Sequence, residues 1–474
     1  MITFALVANY VIVALVVLTI LRRREEPAAM LGWLLFVTTA PFIGWITYLI
    51  FGSRRVRRRA IRRQWSSAGA RVRFERHAQQ ATRGWSQSAL PKDLRQVAQV
   101  GRRVASAAPV GGNHVDVFIE AEETFTALEQ AIRAAEHHIH AEYYIWNDDE
   151  TGRAFRDLLI ERVKAGVEVR VLLDSVGCWR LPRGFWRPLL EEGGEVAWFL
   201  PLWNWPLRWN LHLRNHRKLV VIDGREAFLG SQNIGDEYRG RLKRLSPWYD
   251  AHMRVVGPAA GRVQQVFAED WQFATGRGLP REKYFPTPPM AGNCVVQILP
   301  TGPDEAPDAL SQMSFAAVTD ATERVRLATP YFVPPPAVRI ALTHAAHRGV
   351  RVQLVLPTRS DHPVVLWAGR SFYAELLSAG VEIYEFGAGM LHSKLVTVDD
   401  RWFLLGSANM DIRSFKLNYE LTAVVYHSEQ TRELADAIDD YIARSEPITR
   451  QVAKKRGLIG ELAEGAARLM SPVL

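Results

Sequence analysis

Cysteine is scarce in this chain, and the sequence patterns of several common functional sites are missing. Only Cys178 and Cys294 occur among 474 residues, far apart and without metal-binding spacing. We therefore expect neither a disulfide framework nor a zinc site, which suits a reducing compartment. No P-loop is present, and no Gly-x-Gly-x-x-Gly follows a strand. The common nucleotide-binding patterns are thereby excluded, and we expect neither a metal nor another cofactor.

Lysine is absent from the first 63 residues, although most of the net positive charge of the chain lies there. This segment contains ten arginines and two acidic residues, which accounts for +8 of the formal net charge of +9. The rest of the chain is nearly neutral, whereas nucleic-acid enzymes usually carry positive charge on the domain that holds the site. The arginines of residues 54–63 follow an apolar segment, where they can bind anionic headgroups, set membrane topology, or do both.

Two long hydrophobic runs dominate the N-terminus. Residues 2–21 and 28–51 are each long enough to cross a hydrocarbon core of about 30 Å, and Pro41 predicts a kink in the second. We expect a transmembrane helical hairpin with the body in the cytoplasm, because more arginines follow the second run than lie between the two runs. A cleaved signal peptide is the alternative for the first run, and a re-entrant segment is the alternative for the second.

One pattern of polar residues occurs twice, as H-x-K-x4-D followed seven residues later by Gly-Ser-x-Asn. The two copies share every spacing, which indicates an internal duplication and a site assembled from two halves. The charged positions of the pattern are His216, Lys218, Asp223, His392, Lys394 and Asp399. The polar positions of the two tails are Ser231, Asn233, Ser407 and Asn409.

The predicted elements before each copy also repeat. A strand, a helix and a strand are predicted at 140–145, 152–165 and 166–174, and again at 325–332, 336–347 and 349–356. Short connections of this kind imply right-handed crossovers and a largely parallel sheet. We predict an α/β fold in which two α/β/α repeats pack pseudo-symmetrically around one active site. The predicted divisions are a membrane anchor (1–53), a basic juxtamembrane connector (54–108), the two repeats (109–290 and 291–445) and an amphipathic tail (446–474).

These motifs resemble the phospholipase D superfamily. Further matches at 215–218, 233–238, 329–334, 348–350, 406–415 and 417–420 resemble bacterial cardiolipin synthases of that superfamily, and the resemblance covers essentially the whole chain. It implies a phosphatidyltransferase of the bacterial inner membrane that converts two phosphatidylglycerol molecules into cardiolipin and glycerol through a phosphohistidine. One departure is Ser231-Gln232, where the family pattern is often glycine-rich. This difference bears on the choice of donor or acceptor lipid.

Paired histidines suit phosphodiester chemistry. One neutral imidazole attacks phosphorus, and the other, protonated, gives its proton to the departing alkoxide. The resemblance assigns the nucleophile to His216 and the acid and base role to His392, whereas the residues alone leave either order open. The ammonium groups of Lys218 and Lys394 can offset charge on the phosphoryl oxygens. We expect Ser231, Asn233, Ser407 and Asn409 to help hold those oxygens.

Each imidazole also needs an acceptor on its second nitrogen. Asp223 and Asp399 belong to the catalytic motif by resemblance, but each lies at the far end of a strand from its histidine, so we expect them to hold turns. Asp250 and Glu420 are better partners, because they follow the histidines of their own repeats at similar offsets.

A tryptophan-rich segment at 179–209 interrupts the symmetry of the repeats. Tryptophan favours the headgroup region of a membrane, so we interpret this segment as a loop that dips into the bilayer and admits lipid; a packed aromatic cover over the site is the alternative. The tail has the periodicity of an amphipathic helix, and we expect it to pack onto the body, with membrane contact as the alternative.

Other functions share parts of this pattern. A hydrolase that releases phosphatidic acid would use the same residues, and so would a transferase with phosphatidylethanolamine as donor. A nuclease is disfavoured by the hydrophobic runs and the nearly neutral body. An inactive membrane scaffold is disfavoured because both motifs are intact. Membrane lipids are the expected partners, and a homo-oligomer is compatible with the sequence.

Overall fold

The computed structural model describes residues 2–22, 27–51, 90–201, 213–242, 246–303, 308–454 and 457–470. Two predicted features lie outside these ranges. They are the arginine cluster at 54–63 and the tryptophans at 203, 205 and 209.

The N-terminal hydrophobic runs form helices that pack on one another. They are α1 (Ile2–Leu21), α2 (Pro27–Thr39) and α3 (Pro41–Phe51). The expected kink is a break between two helices, because proline lacks the N–H and its ring clashes with the preceding turn. Trp45 Nε1 donates to Asn9 Oδ1 at 3.0 Å, which ties α3 to α1. Of the helices that the structure describes, none combines the length and the apolar character needed to cross a membrane.

The first repeat is built on a seven-stranded mixed sheet. Its strands are β1 (Val110–Glu120), β2 (His138–Tyr143), β3 (Glu168–Asp174), β4 (Glu195–Phe199), β6 (Leu219–Ile222), β7 (Glu226–Gly230) and β8 (Trp248–Val256). A two-residue strand, β5 (Arg214–Asn215), lies apart from this sheet. The spatial order is β4-β3-β2-β6-β7-β8-β1, in which β4 pairs with β3 and β3 with β2 in parallel, and the other neighbours pair antiparallel. Its helices, with one preceding it, are α4 (Lys92–Ala105), α5 (Ala121–Ala134), α6 (Glu150–Lys164), α7 (Arg187–Glu191), α8 (Pro258–Thr275) and α9 (Arg281–Tyr284).

The second repeat has the same order. Its strands are β9 (Cys294–Thr301), β10 (Arg324–Ala328), β12 (Arg351–Pro357), β13 (Glu382–Phe386), β15 (Leu395–Val398), β16 (Trp402–Gly406) and β18 (Asn418–Tyr426). They run β13-β12-β10-β15-β16-β18-β9, and β19 (Ser445–Ile448) extends the β13 edge. Short strands β11 (Phe332–Val333), β14 (Met390–Leu391) and β17 (Met410–Asp411) lie outside this order. Its helices are α10 (Ala309–Asp320), α11 (Pro336–His347), α12 (Pro363–Arg370), α13 (Tyr373–Ala379), α14 (Ile412–Lys416) and α15 (Ser428–Ala443), followed by α16 (Arg450–Lys454) and α17 (Gly457–Leu469).

The α/β class and the repeat order agree with the sequence prediction, but the prediction of a largely parallel sheet is wrong. The strand-helix-strand units give the three parallel strands of each sheet. The strands that carry and follow the histidine motifs, such as β6 and β7, are joined by tight turns and pair antiparallel. Tight turns permit only antiparallel neighbours, because a parallel pair needs a long crossover.

Helices α8 and α15 lie in a central core between the two sheets. Phe267 of α8 and Ile438 of α15 are both fully buried there, together with Leu219 and Leu395 at the start of the motif strands. Further cores cover the outer faces of the sheets. The two motif strands are therefore held between packed layers, which fixes the positions of the residues at their ends.

Two short strands cross from one repeat to the other. β5, directly before His216, pairs in parallel with the start of β18, and β14, directly before His392, pairs in parallel with the start of β8. The pairing continues through the histidines, whose amides donate to the carbonyls of Tyr419 and Tyr249 at 2.9 and 2.7 Å. Each histidine is thus placed by the backbone of the opposite repeat.

In the described part of the tryptophan-rich segment, some aromatic side chains are buried and others are exposed. Trp186 and Phe185 are buried in the outer core of the first repeat. Trp179 is 66% exposed. The tail helix α17 packs on the second repeat, where Ala467 is buried and the Arg468 guanidinium lies 4.5 Å from the centre of the Phe372 ring.

Candidate active site

Each motif histidine is hydrogen-bonded to a carboxylate of the other repeat. His216 Nδ1 lies 3.0 and 3.1 Å from the two carboxylate oxygens of Glu420, and His392 Nδ1 lies 2.8 Å from Asp250 Oδ2. The two predicted acids are therefore brought to the histidines, but the expected pairing within a repeat is wrong. The crossed strands cause the exchange, since Glu420 and Asp250 directly follow the residues that pair with β5 and β14.

The motif serines bind these carboxylates. Ser231 Oγ donates to Asp250, and Ser407 Oγ donates to Glu420 Oε2 at 2.5 Å. Both serines are buried. The structure therefore places the two hydroxyls behind the histidines, where they orient the acids, and not on the side where phosphoryl oxygens were expected.

The glycine before each serine is required by backbone packing. A Cβ on Gly230 would lie 2.6 Å from the Ala251 carbonyl oxygen, and one on Gly406 would lie 2.3 Å from that of Leu421. Only glycine permits so close an approach between neighbouring strands. The Gly-Ser pair thus brings each serine onto the strand that carries the acid.

Both lysines lie beside the histidines of their own motifs. Lys218 Nζ donates to the His216 carbonyl and Lys394 Nζ to the His392 carbonyl, each at 2.6 Å. Lys394 Nζ is also 3.0 Å from His392 Nε2. The motif spacing from histidine to lysine therefore places an ammonium group next to each imidazole.

Burial controls the protonation of the imidazoles. It lowers the pKa of His216 to about 4, with Glu420 opposing this shift and Lys218 adding to it. Burial and then Lys394 lower the pKa of His392, against the effect of Asp250. Both imidazoles are consequently neutral near pH 7 in the free protein, with Nδ1–H able to donate to the acid.

The lysines and acids respond to the same burial. The pKa of Lys394 falls to about 8 because of burial, and that of Lys218 falls well below its ordinary value for the same reason. Burial acts to raise the pKa of Asp250, but His392 and Lys394 outweigh it and bring it to about 2. Glu420 likewise has a lowered pKa, because His216 and Lys218 outweigh the effect of burial. Both acids are therefore ionised at neutral pH.

The motif asparagines are buried near the site but are not equivalent. Asn233 Oδ1 accepts from the Ile145 amide at 3.2 Å. Within the described residues, the side-chain oxygen Oδ1 of Asn409 accepts no hydrogen bond. The backbone N–H of Asn409 donates to Ser414 Oγ at 3.1 Å.

Asp223 and Asp399 hold turns at the far ends of their strands. Asp223 accepts hydrogen bonds from the backbone amides of 136–138, and Asp399 accepts from those of 322–324, all at 2.8–2.9 Å. Both residues have positive φ, 54° and 50°. Neither carboxylate is the hydrogen-bond partner of His216 or His392, as the sequence argument expected, although the motif includes both.

Sequence reasoning missed several side chains around the histidines. The Tyr144 ring packs edge-on against His216 with 4.8 Å between ring centres, and it also lies 5.0 Å from Lys218 Nζ. The Trp248 ring lies 5.2 Å from His392. Tyr144 follows β2 and Trp248 begins β8, so their positions depend on the packing of the sheets. Trp248 could have been suspected because it lies two positions before Asp250 in the sequence. Tyr144 has no comparable signal.

The fold and the two crossed half-sites define a phospholipase D-like protein. A family model described as "Cardiolipin synthase, PLD-like domain" matches residues 128–271 and 315–442, and one described as phospholipase D-nuclease N-terminal matches 10–53. The chain belongs to the cardiolipin synthase family of phospholipase D-like proteins.

Relatives and solved structures agree with this assignment. A cardiolipin synthase of Geobacillus sp. (strain WCH70) is 36% identical over 458 residues, which cover 95% of this chain and 90% of that protein. Cardiolipin synthase 2 of Bacillus cereus is 35% identical over 454 residues, with 95% and 88% covered. The crystal structure of phosphatidylserine synthase from Haemophilus influenzae Rd KW20 has a TM-score of 0.57 at 15% identity, covering 76% of this chain and 95% of that chain, and shows the fold alone.

The different positions of the acids give a direct test. Asp250→Asn removes the charge beside His392, so we expect the pKa of His392 to fall further in NMR titrations of labelled imidazoles. Asp399→Asn is the matched control, because it weakens only a turn. We expect it to lower the free energy of unfolding by about 1–3 kcal/mol and to leave the His392 titration in place. If the pKa of His392 shifts in Asp399→Asn but not in Asp250→Asn, this assignment is contradicted.

Proposed function

We propose that this protein is a membrane phosphatidyltransferase that makes cardiolipin and glycerol from two phosphatidylglycerol molecules. The observation that carries the proposal is the pair of crossed histidine–carboxylate dyads, in a chain that belongs to the cardiolipin synthase family. In each dyad the carboxylate binds Nδ1 and the second imidazole nitrogen, Nε2, is the one proposed to react; in His392 it lies 3.0 Å from Lys394 Nζ. Two such groups are what a two-step displacement at phosphorus requires.

In the first step, Nε2 of His216 attacks the phosphorus of one phosphatidylglycerol. The bond from phosphorus to the glycerol headgroup breaks, and His392 gives its proton to the departing glycerol oxygen. Nδ1–H of His216 donates to Glu420, which stabilises the positive charge that develops on the ring. The product is a phosphatidyl group on His216 and free glycerol.

In the second step, a hydroxyl of another phosphatidylglycerol attacks that phosphorus. His392 takes the hydroxyl proton, the His216–phosphorus bond breaks, and cardiolipin forms. The lysine ammonium groups offset charge on the phosphoryl oxygens in both steps. His392 must be protonated at the start, and a bound phosphodiester anion raises its pKa toward that state.

Membrane attachment supports this reaction, because both substrates and the product are lipids. The hydrophobic N-terminus and the arginines of 54–63 provide an anchor in a bacterial inner membrane, with the catalytic body on the cytoplasmic side. Trp179 adds a contact close to the site. The neighbouring Cys178 donates to the Tyr144 carbonyl at 3.4 Å, and the Tyr144 ring packs on His216.

A product assay tests the transferase. Purified protein given only phosphatidylglycerol is expected to yield one cardiolipin and one glycerol per turnover, while His392→Ala loses this turnover. Enzyme quenched in mildly alkaline detergent, in which a phosphorus–nitrogen bond survives, should carry a phosphatidyl group on His216 that acid releases and that is absent in His216→Ala. Phosphatidic acid as the main product would show that the protein is a hydrolase and not a transferase. Turnover only with added phosphatidylethanolamine would change the donor.

The protonation states predict the dependence of activity on pH. Activity should fall as the pH drops toward 4, because protonated His216 cannot attack phosphorus. It should fall again above about 8, as Lys394 loses its proton and no longer offsets phosphoryl charge. Lys394→Arg stays charged, so we expect it to remove the alkaline decline while lowering kcat by about 10- to 100-fold through altered geometry. If the decline above about pH 8 is unchanged in Lys394→Arg, another group causes it. Lys218→Arg then tests whether that group is Lys218.

A probe at residue 179 tests the membrane contact. Trp179→Cys in a Cys178→Ala background can be labelled selectively, because the remaining cysteine, Cys294, is buried. In a lipid nanodisc, an environment-sensitive fluorophore at 179 should shift to the blue and be quenched by lipid-borne nitroxide. Met290→Cys is the matched control, since Met290 is 62% exposed on the segment between the repeats. Equal quenching at both sites would remove Trp179 from the proposed contact.

A further inference from the structure

One face of β2 carries polar side chains where it packs against α8. His138 Nε2 and His140 Nδ1 lie 3.3 and 3.1 Å from Gln264 Oε1. Glu142 comes next on the same face and approaches the carboxyl group of Asp270. Two acids thus meet in the protein interior, behind the His216 motif.

The guanidinium of Arg217 lies beside these two acids. Arg217 Nη1 donates to Asp270 Oδ2, and Asn215 Nδ2 donates to Glu142 Oε1 at 2.5 Å. Glu142, Arg217 and Asp270 are each at most 1% exposed. Among the described residues, none donates a hydrogen bond to Glu142 Oε2.

The balance of charge requires a proton in this cluster. If both acids were ionised, two buried carboxylates would face each other, and Glu142 Oε2 would be an anionic oxygen that accepts no hydrogen bond from the described residues, which is costly to bury. A proton on one of the two carboxyl groups turns this repulsion into a hydrogen bond between them. Burial and then Asp270 raise the pKa of Glu142 well above its ordinary value, against the effects of Arg217 and Asn215.

Arg217 connects this cluster to the catalytic dyad. Its Nε donates to the Glu420 carbonyl at 3.1 Å, and its Nη2 donates to the Thr301 carbonyl at 3.3 Å. The side chain therefore joins α8 of the first repeat to β18 and β9 of the second. Glu420 is the residue whose carboxylate holds His216.

The second repeat shows that the fold does not need these charges. Register with the motif strands places Ala328 where the first repeat has Glu142, and the motif has Ser393 in place of Arg217. Ser393 Oγ donates to the Tyr249 carbonyl at 3.2 Å and lies 3.4 Å from the Tyr441 hydroxyl. Because buried ion clusters seldom add net stability over neutral packing, their presence in only one repeat points to a role at His216.

We propose that Glu142 is a positioning residue that remains a neutral carboxylic acid and shares its proton with Asp270, so that Arg217 keeps one counter-ion and holds the Glu420 backbone against His216. The inference rests on the proposed function only where lipid turnover serves as a readout.

Infrared spectroscopy of the full-length protein in H2O and D2O tests the protonation directly. We expect a buried carboxylic acid C=O band at neutral pH that is absent in Glu142→Gln. The band should also be lost in Asp270→Asn, because Glu142 then ionises as the counter-ion of Arg217. Ser393→Ala is the matched control in the second repeat and should keep the band. A band that persists in Glu142→Gln would overturn the proposal.

Turnover separates positioning from general support of the fold. Glu142→Gln mimics the neutral acid and should retain kcat within about threefold. The double variant Glu142→Gln/Asp270→Asn removes both acids beside Arg217, and we expect kcat to fall about 10- to 100-fold with little change in KM. Equal losses in the single and double variants would contradict the proposal. If the double variant does not fold, the infrared bands of the single variants still decide. A wild-type enzyme that releases phosphatidic acid would refute the proposed function and leave the infrared test intact.

Discussion

The site depends on two short strands, each of which pairs with a strand of the other repeat. Strand β5 pairs with β18, and β14 pairs with β8. The residues that follow on these strands are a histidine from one repeat and an acid from the other. Each motif histidine finds its carboxylate in the other repeat, so docking of the two halves and assembly of the site are one event.

Burial then gives the residues their chemical states. The imidazoles lose protons because the interior disfavours their charge, while the acids beside them stay ionised because they face an imidazole and a lysine. A neutral histidine at neutral pH is a competent nucleophile. The serines and the close-packed glycines behind them keep the acids in place. The arrangement is nearly symmetric, so the chemistry of the two halves differs through their surroundings.

The Glu142 cluster is the clearest such difference. A charged network supports the His216 half, and neutral residues fill the same positions behind His392. In the proposed mechanism, His216 forms a covalent bond to phosphorus, whereas His392 only exchanges a proton. A histidine that must hold its ring in line with phosphorus during bond formation has the stricter requirement for a fixed carboxylate.

Much of the site could be predicted from the sequence. The repeated spacing identified both histidine–lysine pairs and the serine and asparagine positions, because a duplication preserves local geometry. It also indicated that Asp223 and Asp399 hold turns, since a strand separates each from its histidine. The parallel strands β2, β3, β10 and β12 followed from their apolar runs. The antiparallel strands were misjudged, because β6 and β7 are too short to reveal their direction from periodicity.

The sequence by itself determined which residues make up the two motifs and that two halves of the chain supply them, because residue type and spacing are properties of the sequence. Only the tertiary structure decided that Glu420 serves His216 and Asp250 serves His392, since pairing between repeats depends on how the sheets dock. It also turned Ser231 and Ser407 toward the acids and enclosed Glu142 with Asp270. Contacts between positions 50 to 200 residues apart leave no local signal, because they arise from packing rather than from neighbouring residues.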